Sequence, residues 1–109
     1  MDILIQADGV TLTEAIKDAI EEKIGHVEQY APRALRTRVR LRKVSAHPSP
    51  RQYTVSVLVE IPGADLTAEE SRGEVITALD VVAGKIERRL RKRKTERLAK
   101  RASGPRRKP

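Results

Sequence analysis

The chain has 109 residues, enough for one domain around one modest core. It contains no cysteine, which excludes disulfides and thiolate metal sites, and no apolar run near membrane-spanning length. The formal net charge of +8 is unevenly spread: residues 85–109 hold 13 Lys/Arg and 2 Asp/Glu, and residues 1–84 hold 10 and 13. A basic end on a nearly neutral body is the electrostatic footprint of a nucleic-acid binder, the plainer alternative being a tail that only maintains solubility. The N-terminus lacks the charged-then-apolar plan of a signal peptide, so a cytoplasmic protein without a membrane partner is expected.

Ile3 and Ile5 alternate with Asp2, Leu4 and Gln6, which predicts a strand over residues 2–7. Leu4 on the outer side predicts cover on both faces. Asp8-Gly9 turns the chain into a helix, with Thr11 or Thr13 as its N-cap. Ile16, Ile20, Ile24 and Val27 form its buried stripe, supported by Ala15 and Ala19. Lys17, Glu21, Glu22, Lys23 and Glu28 face water, and Pro32 stops the helix soon after Tyr30.

Residues 34–44 alternate with a period of two. Leu35, Thr37, Val39 and Leu41 point inward, while Arg36, Arg38, Arg40 and Arg42 form a wet face with about 6.6–6.8 Å between neighbours. Such a row repels itself unless it meets an anion; otherwise it is an edge strand kept soluble by charge. His47-Pro48-Ser49-Pro50 is a loop. Tyr53, Val55, Val57, Val59 and Ile61 make a third strand, Pro62-Gly63 a turn, and Leu66 and Ala68 the inner positions of a short fourth strand.

Ser71 and Glu74 have the S-x-x-E spacing of a capping box and predict the start of a second helix. Its apolar stripe is Ile76, Leu79, Ala83, Ile86 and Leu90, with Val75 and Val82 at the margin. Lys85, Arg88, Arg89 and Lys92 lie on the other side. Residues 75–90 span about 24 Å, so residues 91–101 overhang the body by about 16 Å. These elements predict an α+β fold: a two-layer β-α-β-β-β-α sandwich, its four-stranded mixed sheet covered on one face by both helices. Residues 1–94 form the folded domain. Residues 95–109 form a basic, flexible extension, its last part from Ser103 to Pro109 rich in breakers.

No catalytic constellation is evident, no cofactor is implied, and an enzyme is not expected. Glu22 and His26, four apart on one helix, read as an exposed pair rather than a chelate, and Asp80 as a structural partner rather than a general base. With only Tyr30 and Tyr53 as aromatics, stacking on unpaired bases is disfavoured. Arginines and lysines on two elements suit phosphate contacts and the shape of folded RNA.

The order of elements and several local motifs resemble the ribosome hibernation-promoting factors, the family of the ribosome-associated inhibitor YfiA. The first helix carries Thr13-Glu14-Ala15-Ile16, then Lys23 and Val27-Glu28-Gln29-Tyr30. The second carries Glu74, Ala78-Leu79-Asp80, Lys85-Ile86, Arg88, Leu90, Lys92 and Lys94. The match runs from Met1 to about Leu98. The resemblance implies a fold similar in part to double-stranded-RNA-binding domains. It also implies binding to the small ribosomal subunit and its 16S rRNA, within the 70S ribosome, in the channel between head and body. There a bound factor covers the messenger RNA and A- and P-site transfer RNA sites. It implies Lys23, Lys85, Arg88, Arg89, Lys92 and Lys94 as contacts; the row Arg36, Arg38, Arg40 and Arg42 is added from its periodicity.

Two positions depart from the family pattern: Ile76 stands where tyrosine is frequent, and His26 where a basic residue is common. The chain ends before the second domain through which long members dimerise ribosomes. A short form is expected, monomeric off the ribosome, inhibiting translation in stressed or stationary cells, the alternative being a piece of a long form. A general structured-RNA-binding or RNA-chaperone module is the alternative.

Overall fold

Four strands and two helices follow one another as β1 (Asp2–Asp8), α1 (Glu14–Glu28), β2 (Arg36–Lys43), β3 (Tyr53–Glu60), β4 (Leu66–Arg72) and α2 (Val75–Ser103). The computed structural model describes the backbone of residues 2–103 and the side chains of residues 2–94. The strands lie in the order β1-β2-β3-β4. β1 runs parallel to β2, because α1 carries the chain back between them, and β2, β3 and β4 form an antiparallel meander. Both tight turns use glycine where φ is positive, 72° at Gly9 and 98° at Gly63.

The period-two pattern sends Val39, Leu41, Val55, Val57, Val59, Leu66 and Ala68 to the face beneath the helices, where all are buried. Ile20, Ile24 and Val27 of α1 and Leu79, Val82 and Ile86 of α2 close over them. The fold is thus the two-layer sandwich expected, with no described element on the opposite face of the sheet.

Several local expectations need correction. Ser71 does not cap α2. It belongs to β4, whose pairing with β3 continues to Arg72 opposite Tyr53, and its hydroxyl bonds Thr54 Oγ1 at 2.8 Å. The sheet ladder prevails over the capping box, and α2 opens at Val75, with the Glu74 carbonyl accepting from the Ala78 amide. This start fixes the phase of α2. Val75, Ala78, Leu79, Val82, Ala83, Ile86 and Leu90 are buried, whereas Ile76 is 39% exposed.

In α1 the cap is Thr13, whose side chain accepts from the Ile16 amide; Ala15 is exposed, and Lys23 is half-buried rather than in water. The helix ends at Glu28, before Tyr30. Leu35 precedes β2 and is 63% exposed, and Leu4 is 45% exposed, so none of the described residues covers the outer side of β1 at Leu4. The expected boundary after residue 94 falls inside α2. The expected flexibility of residues 95–109 concerns side chains, and beyond Ser103 backbone, outside the described residues.

The corrected phase of α2 has a direct test. Leu79→Ala should destabilise the fold by about 2–5 kcal/mol, the usual cost of a buried leucine. Ile76→Ala should cost under about 1 kcal/mol, as for a largely exposed site. Urea unfolding followed by circular dichroism measures both; equal losses would place Ile76 in the core.

Candidate nucleic-acid interface

Because α2 turns its apolar stripe down onto the sheet, its basic residues divide by direction at 3.6 residues per turn. Lys85, Arg89 and Arg93, spaced by four, lean toward the free edge of β4 and its preceding turn. Lys85 Nζ reaches the Glu69 carbonyl at 3.4 Å, Arg89 Nη1 donates to the Thr67 carbonyl, and Arg93 Nη1 donates to the Ala64 carbonyl at 3.1 Å. These side chains cover an edge that would otherwise present bare acceptors.

Lys85 also bonds Glu70 Oε2 at 2.6 Å, and Arg72 bonds the same carboxylate's other oxygen. Hydrogen bonds from Lys85 first and Arg72 second hold the Glu70 carboxyl at about 2, against an ordinary 4.5.

Toward α1, Arg91 Nη2 donates to the Tyr30 hydroxyl at 2.9 Å, with the guanidinium 5.0 Å from the ring centroid. The hydroxyl is the main cause that raises the Arg91 pKa. Beside it, His26 Nε2 lies 3.0 Å from Glu87, and its Nδ1 is 2.8 Å from the Gln29 side-chain nitrogen. A neutral ring with the proton on Nε2 satisfies both contacts, since Gln29 then donates to Nδ1. His26 therefore turns to α2, and the chelating pair with Glu22 does not form. Lys23 is paired with Asp80 across the helices, and that hydrogen bond is the main cause that raises the lysine's pKa. Glu22, Lys23, His26, Asp80 and Glu87 line an open groove of about 330 Å³ between α1 and α2. Among the described residues no group of three or more His, Asp or Glu could hold a metal.

Arg36, Arg38 and Arg40 of the row on β2 are exposed as the periodicity predicts, whereas Arg42 is half-buried, and the row is not alone. Glu60 takes a hydrogen bond from Arg38 Nε at 2.8 Å and lies 3.6 Å from Arg36 Nε. Asp8 takes one from Arg40 Nε at 3.0 Å, and Glu69 lies 3.6 Å from Arg42 Nη2. Cross-strand carboxylates from β1, β3 and β4 thus relieve the expected self-repulsion.

Of the ten candidate contacts, seven are engaged within the molecule: Lys23, Arg36, Arg38, Arg40, Arg42, Lys85 and Arg89. Arg88, Lys92 and Lys94 are exposed and have no acidic partner among the described residues. Arg88 and Lys92 are four apart, on the side of α2 directly away from its core stripe. Sequence reasoning missed the roles of Tyr30, Glu87, Arg91 and Arg93. The i,i+4 spacings Glu87–Arg91 and Arg89–Arg93 were the available signals.

A two-layer α+β domain that projects a cationic helix is the class these features define. The profile described as sigma 54 modulation protein / S30EA ribosomal protein matches residues 3–98, and the chain belongs to this family. Among curated relatives, a ribosome hibernation promotion factor of Deinococcus radiodurans is 30% identical over 95 residues, covering 87% of this chain and 50% of the relative. One of Staphylococcus aureus is 33% identical over 99 residues, covering 84% and 47%. The chain therefore spans about half the length of these relatives. The fold is shared with the Thermus thermophilus Protein Y N-terminal domain, at TM-score 0.71 and 22% identity over 84% of this chain and 98% of that one. It is shared too with a ribosomal subunit interface protein from Coxiella burnetii, at TM-score 0.75 and 19% identity over 87% and 99%.

The Glu70 cluster carries a pH prediction. Folding lowers this carboxyl's pKa, so its contribution is present above the unfolded value and is lost as pH falls through the folded one. Glu70→Gln should unfold at lower urea than the parent at pH 7. The gap should close as pH drops from about 4.5 toward about 2. A gap independent of pH across that range would assign Glu70 a role other than its charge.

Proposed function

We propose that this chain is a ribosome-associated hibernation factor that acts by occupancy and not by catalysis. It binds the small ribosomal subunit through 16S rRNA in the decoding channel, excludes messenger RNA and A- and P-site transfer RNA, and so preserves idle ribosomes. It is cytoplasmic and monomeric off the ribosome. Family membership and the names of the curated relatives support ribosome association. No described helix is long and apolar enough to cross a membrane.

The observation that carries the proposal is the placement of Arg88, Lys92 and Lys94. The other candidate cations make ion pairs or edge contacts within the body, whereas these three, on the outer and overhanging part of α2, have no acidic partner among the described residues. Phosphate neutralisation by such groups releases counterions and makes binding steeply salt-dependent. Lys23, Lys85 and Arg89 then serve mainly to hold the helices and β4 together, and contribute to the field rather than to direct contacts. A general structured-RNA binder would share the charge pattern but would treat all folded RNAs alike.

Cosedimentation with small subunits over a salt series separates the roles. Joint replacement of Arg88, Lys92 and Lys94 by Gln should lower the log–log salt slope by about three units and release the protein at moderate salt. Lys85→Gln should lower stability while leaving the slope within about half a unit. Bound protein should be displaced by transfer RNA with messenger RNA, and not by an equal mass of an unrelated folded RNA. If the triple variant sediments like the parent, the α2 assignment is wrong; if any folded RNA competes equally, the general binder is the correct reading.

A further inference from the structure

On the face of the sheet turned away from the helices the balance of charge has a direction. In Arg38 and Arg40 the hydrogen bonds to Glu60 and Asp8 are made by Nε, and the closest approach of Arg36 to Glu60 is also through Nε. Contact through Nε leaves the outer Nη edge of a guanidinium geometrically open to a second acceptor. Arg42 reaches Glu69 only at 3.6 Å, and its buried Nε has no hydrogen-bond partner. The four side chains lie on one strand at every second residue, about 6.6–6.8 Å apart. Carboxylates flank them on both sides, Asp8 from β1 and Glu60 and Glu69 from β3 and its neighbour β4. No aromatic ring lies on this face, since Tyr30 is on the helix side and Tyr53 points inward with Val55.

A row of arginine donors bordered by carboxylate acceptors is complementary to a chain that alternates anionic acceptors with hydroxyl donors. Ribose-phosphate is such a chain: phosphate oxygens accept bidentately from guanidinium, and the 2′-hydroxyl donates to carboxylate. Deoxyribose-phosphate offers the first and lacks the second. We infer that the helix-free face of the sheet is a second RNA-binding surface. There Arg36, Arg38 and Arg40 hold phosphates, and Asp8 and Glu60 accept from 2′-hydroxyls, favouring RNA over DNA. The surface lies on the opposite side of the molecule from Arg88 and Lys92, so one copy can bridge two RNA segments. This inference goes beyond ribosome occupancy and is tested on free RNA, so either can fail without the other.

The test uses the full chain with Arg88, Lys92 and Lys94 changed to Gln, which weakens the α2 surface at exposed positions without an acidic partner among the described residues; six Lys/Arg of residues 95–109 remain, so the contribution of the sheet is read as the difference between variants on this background. Fluorescence anisotropy is measured with a labelled single-stranded RNA and the DNA of the same sequence, over a salt series. Residual binding should favour RNA several-fold. Adding Arg38→Gln and Arg40→Gln should reduce the salt slope by about 1.4, the value for two phosphates on a single strand. Adding Asp8→Asn and Glu60→Gln instead should strengthen binding to both nucleic acids and abolish the preference. Circular dichroism confirms that each variant is folded. The inference is overturned if the arginine changes leave slope and affinity unaltered, if RNA and DNA bind equally before the carboxylates are removed, or if an acidic peptide displaces the RNA at equal charge concentration.

Discussion

The phase at which α2 meets the sheet governs the rest of the molecule. Once Val75, Leu79, Val82, Ile86 and Leu90 are turned inward, geometry assigns every other position on the helix to a direction. Positions 85, 89 and 93 flank β4. Positions 80, 87 and 91 flank α1. Positions 88 and 92 look outward. A start one residue later would rotate all of these by about 100° and would exchange the roles of the cations. The burial of a few aliphatic side chains, each contributing about 1.5–3 kcal/mol, therefore determines which charges are available to a partner.

Much of the architecture was legible in the sequence. The alternation in residues 37–42 and 53–60 and the periodic isoleucines of α1 are strong local signals, and the short turns after Glu60 and the long crossover after Asp8 leave few topologies. What was not legible depended on competition between elements. Ser71 matched a cap in isolation, but β3 offered its backbone a better set of partners. Leu35 continued the alternation of β2, yet the strand begins one residue later, leaving that side chain exposed. Ile76 has the right spacing to Leu79 and Ala83, but the buried arc of α2 is centred nearer Val75, Ala78 and Val82, which leaves Ile76 at its margin.

The candidate site was legible as composition and not as geometry. A count of Lys and Arg identifies a basic end, but no count reveals that Arg40 sits beside Asp8, thirty-two residues away, or that Lys23 is matched to Asp80 on the other helix. Those pairings need the register of β1 on β2 and the docking of α1 on α2. The free set is defined by subtraction, after the carboxylates of the body have taken their share, and subtraction requires coordinates.

The cover over β4 has a consequence for how this chain can change over generations. Lys85, Arg89 and Arg93 rest on main-chain oxygens of Glu69, Thr67 and Ala64, which every amino acid supplies alike. Codons for Ala64 and Thr67 are thus at liberty to drift without loosening the contact, while Glu69 is tied also by its side chain's pairing with Arg42, and the donors on α2 are not at liberty at all. Variation across a lineage should accumulate at positions 64 and 67, and spare the three donors that lie over them.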